Sequence, residues 1–265
     1  MKTIGFIGCG NMGGAIMGGV ISRGYVDAAH LIAADKSTEQ LEKAKQSMGI
    51  CTTTDNREAA EKAEILFLSV KPQFYESVIQ EIRDVVDREK VIITIAPGWS
   101  LERLAASFGK ELQIIRTMPN TPALVGEGNI VVSPGSFVTE ESLEEALSVL
   151  RCCGKATLIP ESLMDAAVAV SGSSPAYVFM MIEAMADAAV ADGMPRAQAY
   201  TFAAQAVYGS AKMVLETGKH PAELKDMVCS PAGTTIEAVR VLEEKGFRSS
   251  IIEAMQACTR KTRGM

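Results

Sequence analysis

Apolar residues in the first 160 positions come in short solid runs rather than in alternation. TIGFI at 3–7, LIAA at 31–34, ILFLSV at 65–70, VIITI at 91–95 and QIIRT at 113–117 are the clearest. Solid runs of this length belong to strands covered on both faces. Between them the spacing turns helical, after the first run to Gly24, then over 38–48, 56–63, 74–86 and 101–108. Strand and helix in alternation predict a parallel sheet with helices on both faces.

After about position 135 the pattern changes. Thr139 opens a helix, with Glu140 and Glu141 at its positive end. Residues 155–159 read as the last strand. Beyond Pro160 only helical spacing is found, over 162–170, 175–192, 196–217, 221–227, 234–245 and 248–262. Pro175, Pro195 and Pro221 stand near helix starts, and Gly193, Gly218 and Gly246 after helix ends. The expected organisation is a doubly wound α/β domain over 1–160 and an all-helical domain over 161–265. No repeat or low-complexity tract interrupts either.

Composition narrows the function. Apolar residues make up 48% of the 265, enough for a large core, and 26 basic against 32 acidic residues leave a net charge of −6. That balance offers no attraction to nucleic acid or to an anionic membrane. The apolar stretch 176–191 is cut by Glu183 and Asp187 and reads as too short and too charged to span a bilayer. Six cysteines form no CxxC pair, and only His30 and His220 supply imidazole. Neither a disulfide framework nor a metal site is expected, and the expected location is the cytoplasm.

GCGNMG at 8–13 follows a strand and opens a helix, the setting in which G-x-G-x-x-G binds a dinucleotide. Gly8 permits the tight turn, Gly10 admits the pyrophosphate and Gly13 lets helix and strand pack closely. The amides of Asn11 and Met12 then face the phosphates at a helix N-terminus. Asp35 ends the second run, where an acid accepts from a free ribose 2′-hydroxyl and favours NAD. Lys36, Ser37, Asn56 and Arg57 are placed to hold a 2′-phosphate instead. The residues themselves leave both readings open. Three further loops follow strands at the same edge: SVKP at 69–72, APG at 96–98 and MPNTP at 118–122. Together they look like a cofactor wall.

CSPAGTTIEAV at 229–239 is a polar, glycine- and proline-bearing turn before a helix. It serves either as a helix cap or as an anion pocket. With GFIGCGNMG, SVKP, MPNTPALVGEG at 118–128, VSGSSPAYVFMMIEAMADA at 170–188 and LKDMVCSPAGTTIEAVRVLEEKGFRS at 224–249, it resembles the pyrroline-5-carboxylate reductases over essentially the whole chain. The resemblance implies reduction of the C=N bond of 1-pyrroline-5-carboxylate to L-proline by NAD(P)H. It implies a Rossmann domain followed by a helical dimerisation domain, in dimers that assemble further, commonly as a ring of five, a decamer. It favours NADPH, with NADH possible, because Asn56 matches a position used near the 2′-phosphate.

On this resemblance the cofactor contacts are Ile7, Gly8, Gly10, Asn11, Met12, Gly13, Asp35, Lys36, Asn56, Val70, Lys71, Pro72, Ala96, Gly98, Met118, Pro119 and Asn120. The substrate contacts are Ser230, Gly233, Thr234, Thr235 and Glu161. Thr235 is the catalytic group, its hydroxyl on the imine nitrogen. Two departures stand out. Pro97 replaces an alanine common in the family and has no N–H, and Met227 stands where some members carry an asparagine near the cofactor.

Overall fold

The computed structural model describes residues 2–264. Its eight strands form one sheet in the order β3-β2-β1-β4-β5-β6-β7-β8. They are β1 (Ile4–Ile7), β2 (Leu31–Ala34), β3 (Cys51–Thr53), β4 (Ile65–Leu68), β5 (Val91–Thr94), β6 (Gln113–Met118), β7 (Gly128–Pro134) and β8 (Gly154–Leu158). Every residue of β1, β2, β4 and β5 is buried, as their solid apolar runs require. The pairings from β3 through to β6 are all parallel. The loops leaving these strands therefore gather at one edge.

Two strands went unforeseen. β3 is a short, half-exposed edge strand of Cys and Thr with no apolar run to announce it. β7 lies antiparallel to β6, so the sheet is mixed rather than wholly parallel. One face is covered by α1 (Asn11–Ser22), α2 (Thr38–Met48) and α6 (Glu140–Arg151), which bury Ile16, Met17, Val20, Leu41, Leu147 and Leu150. The other carries α4 (Tyr75–Ile82) and α5 (Leu101–Phe108), with Tyr75, Ile79, Ile82, Leu104, Phe108 and Trp99 in its core. α3 (Asn56–Lys62) packs its Ala60 into that second layer.

After β8 the chain is helical throughout the described residues. A 3-10 turn at Glu161–Leu163 leads into α7 (Met164–Ala167), a π-helical segment at Val168–Gly172 and α8 (Ser174–Ala191). There follow α9 (Arg196–Thr217), α10 (Pro221–Val228), α11 (Thr234–Glu244) and α12 (Phe247–Arg263). Packing groups the residues up to Ser173, together with those from Cys258 onward, into one unit, and Ser174–Ala257 into a second. Residues 161–173, placed beyond the boundary by sequence, thus pack with the sheet. So does the end of α12, where Thr262 is buried, Arg263 faces Asp165 at 3.6 Å and Cys258 Sγ meets Ser173 Oγ at 3.2 Å.

The helical unit leaves its apolar side chains uncovered. α8 buries only Ala186 and α9 only Ala199 and Ala203. Phe179, Met180, Phe202 and Leu215 are all more than half exposed. The stretch read as too short for a bilayer continues back from Ala191 to Glu161, and by length and composition alone that run meets the requirement of a membrane span, as packing helices of soluble proteins also do. Uncovered apolar helices on this scale require a partner surface.

Candidate active site

The glycine loop separates into packing and opening. Gly8 has φ +107°, and a Cβ there would sit 2.7 Å from the Ser69 backbone. A Cβ on Gly13 would sit 2.5 Å from the Gly8 carbonyl oxygen. On Gly10 it would meet nothing within 4 Å. Two glycines are thus demanded by the protein itself, and the third faces open space where a ligand backbone can approach. α2, α3, α5 and α6 are capped by the side chains of Ser37, Asp55, Ser100 and Thr139. α1 has no side-chain cap and no acid in its first turn. Its leading amides and positive dipole end suit a pyrophosphate, so these residues fit a dinucleotide.

Asp35 supports this loop directly. Its Oδ2 accepts from the Cys9 amide at 2.7 Å and its Oδ1 from the Ser37 amide at 2.9 Å. Both carboxylate oxygens are engaged by backbone, which ties the end of β2 to the turn after β1. Burial, with the Asp35 carboxylate adding to it, pushes the Cys9 thiol up to about 12. Beyond Asp35, Lys36 is exposed and Asn56 buried, and both meet Glu81 of α4. Asn56 Nδ2 donates to Glu81 Oε2 at 2.6 Å, and Lys36 Nζ lies 3.7 Å from Glu81 Oε1.

The wall loops are braced by side chains the sequence did not single out. Ser69 Oγ donates to the Gly8 carbonyl at 2.7 Å. The Tyr75 hydroxyl donates to the Leu68 carbonyl at 2.5 Å and accepts from the Ile95 and Ala96 amides, each at 3.2 Å. Burial raises its pKa, so it stays a neutral donor. Trp99 Nε1 donates to the Pro72 carbonyl at 3.1 Å. Val70, Lys71 and Pro72 are therefore fixed against Ala96 and Gly98 from behind. Asn120 is buried and doubly committed. Its Nδ2 donates to the Ser171 carbonyl at 2.9 Å, and its Oδ1 accepts from the Asn129 amide at 2.8 Å. It latches the Met118–Pro119 loop to the π segment.

Ser230–Gly233, in the helical unit, is a turn closed by the Gly233 amide on the Ser230 carbonyl at 3.0 Å. Ala232 has φ +54° and is the one non-glycine residue with positive φ among the described residues. A residue held there stores of order 1 kcal/mol of strain. A Cβ on Gly233 would lie 2.2 Å from Ser230 Oγ, so Ser230 hangs over the start of α11. That helix has no side-chain cap, and its first-turn acid, Glu237, is drawn off by Arg240 at 2.7 Å. Thr234 and Thr235 open it with free amides and hydroxyls. Glu161, by contrast, is in the sheet unit. Its Oε1 accepts from Arg116 Nη1 at 2.8 Å and from the Leu101 amide at 2.7 Å. The buried Arg116 is also 3.9 Å from Asp165.

Residues 161–265 match the family described as pyrroline-5-carboxylate reductase dimerisation, and 3–98 that described as NADP oxidoreductase, coenzyme F420-dependent. The pyrroline-5-carboxylate reductase of Escherichia coli (strain K12) is 54% identical over 98% of this chain and 97% of its own. The chain belongs to the pyrroline-5-carboxylate reductase family. A solved pyrroline-5-carboxylate reductase from Coxiella burnetii, 33% identical, superposes with a TM-score of 0.91, covering 99% of this chain and 98% of that one. The Plasmodium falciparum enzyme, solved with NADP bound, gives 0.91 at 30% identity over 99% and 97%. As a pyrroline-5-carboxylate reductase family member the chain is an NAD(P)H-dependent oxidoreductase, and its uncovered helices belong to a dimerisation segment.

Proposed function

We propose that the protein reduces 1-pyrroline-5-carboxylate to L-proline in the cytoplasm, as a homodimer that assembles further into a decamer. NADPH, with NADH as an alternative, supplies a hydride to the imine carbon, and one proton completes the product amine. Gly8, Gly10, Asn11, Met12 and Gly13, together with Ile7, would hold the pyrophosphate. Lys36 and Asn56 would hold the 2′-phosphate, and Asp35 holds the loop. Val70, Lys71, Pro72, Ala96, Gly98, Met118 and Pro119 form the wall, with Asn120 fixing its last loop.

The substrate is assigned to the start of α11. Its carboxylate suits the leading amides of Thr234 and Thr235 beside the Ser230 hydroxyl, with Gly233, whose amide closes the turn, letting the substrate approach. The Thr235 hydroxyl donates to the imine nitrogen, which draws electron density from the carbon that accepts hydride. Glu161 is given a supporting role, because Arg116 and the Leu101 amide both hold its Oε1. The observation that carries the substrate site is the strained turn at Ala232 ahead of an uncapped helix. Loss of NADPH absorbance on adding the imine, with proline formed, tests the reaction. Thr235→Ala lowers kcat by about 100-fold with NADPH affinity unchanged, and Thr235→Ser recovers most of the rate. An equal fall in cofactor binding would remove Thr235 from the chemistry.

A further inference from the structure

Glu81 is absent from every functional assignment above, yet it collects the groups that a 2′-phosphate would use. Lys36 follows Asp35 at the end of β2, beside the glycine loop to which Asp35 is hydrogen-bonded. In this fold the ribose of a bound dinucleotide lies at that strand end, where a basic group receives a 2′-phosphate. Lys36, though exposed, has its Nζ 3.7 Å from Glu81 Oε1, and Asn56 gives its Nδ2 to Glu81 Oε2 at 2.6 Å. The backbone carbonyl of Glu81 accepts from Arg57 Nη1 at 2.8 Å, which holds the end of α4 against the start of α3. One carboxylate thus binds the amide donor and lies beside the cation of this corner, and it is part-exposed, within reach of an incoming anion's field.

We infer that Glu81 is a specificity-determining residue, an internal anion that competes with the 2′-phosphate for Lys36 and Asn56 and so restrains the preference for NADPH over NADH. A 2′-hydroxyl carries no charge and gains nothing when the carboxylate is removed. A phosphate gains twice, because it loses a like charge and finds Lys36 unpaired. Glutamine at 81 keeps an acceptor for Asn56 and the same backbone carbonyl for Arg57, so it removes charge with little change of shape.

The test is calorimetric titration of the purified full-length protein with NADP+ and with NAD+, for wild type, Glu81→Gln and Lys36→Gln. Glu81→Gln is expected to tighten NADP+ by about fivefold, less at high salt, with NAD+ within about twofold. Lys36→Gln is expected to weaken NADP+ selectively. Equal shifts for both nucleotides, or a weaker NADP+, would overturn the inference. It rests on the dinucleotide reading. A wild-type protein that binds neither nucleotide would remove that reading and this inference with it, whereas normal binding with an unmoved ratio removes only the role of Glu81.

Discussion

Tyr75→Phe isolates one oxygen atom that holds the ends of β4 and β5 together. The ring stays, so its packing against Trp99, with centroids 5.2 Å apart, is kept. What is lost is one donor to the Leu68 carbonyl and one acceptor shared by the Ile95 and Ala96 amides. Ala96 is only 3% exposed, so its amide has little access to replacement water. A buried amide stripped of its acceptor costs about 1–3 kcal/mol. Two such amides, offset by the hydroxyl no longer needing to be desolvated, give a loss of about 3 kcal/mol. That corresponds to roughly 10 °C in Tm for a chain of this size. The same change unties the end of β4 from the end of β5, and NADPH affinity falls by about fivefold. Urea unfolding at fixed protein concentration and fluorescence titration with NADPH read the two effects. A stability loss under about 1 kcal/mol with unchanged affinity would show that the amides find other partners and that the hydroxyl braces nothing.

Gly10 and Gly13 of the loop are expected to separate. Gly10→Ala keeps its Tm but loses NADPH affinity by at least about tenfold, because its Cβ enters only the ligand's space. Gly13→Ala loses both, because its Cβ meets the Gly8 carbonyl; thermal melts and titrations of the two proteins check this. Cys9 and Cys153, each pushed up to about 12 by burial, resist alkylation at pH 8.5 while the exposed Cys51 is labelled, as mass spectrometry of the digested protein reads. The raised folded-state values mean that the stability these thiols contribute is fully present below about pH 9. It drains as the pH climbs from there towards 12.

The glycine loop and the alternation of strand and helix were legible because each rests on local chemistry. Gly8 and Gly13 are required by atoms within a few residues of β1 and β4, and solid apolar runs mark strands wherever they lie. β7 was hidden because its short run, Ile-Val-Val, sits among glycine, serine and proline, and its direction depends on pairing with β6. Tyr75 and Trp99 carried no motif at all. Their roles arise only when α4 brings a hydroxyl under the ends of β4 and β5. Glu161 matched a familiar position, but its partner Arg116 lies far away in sequence, and no spacing rule connects the two. The Ser230–Thr235 turn was readable as a turn, whereas the positive φ of Ala232 was not, since alanine gives no sign of it.

Ser173 and Cys258, whose side chains touch at 3.2 Å, are the points where the chain leaves the sheet unit and returns to it. Topologically, the helical unit is an insert rather than a sequel: a cassette whose two ends are stapled at one place on its host. An insert with adjacent ends can be lengthened, shortened or exchanged without pulling its host apart. The host can preserve its sheet and glycine loop while the cassette is rewritten to take other subunit arrangements.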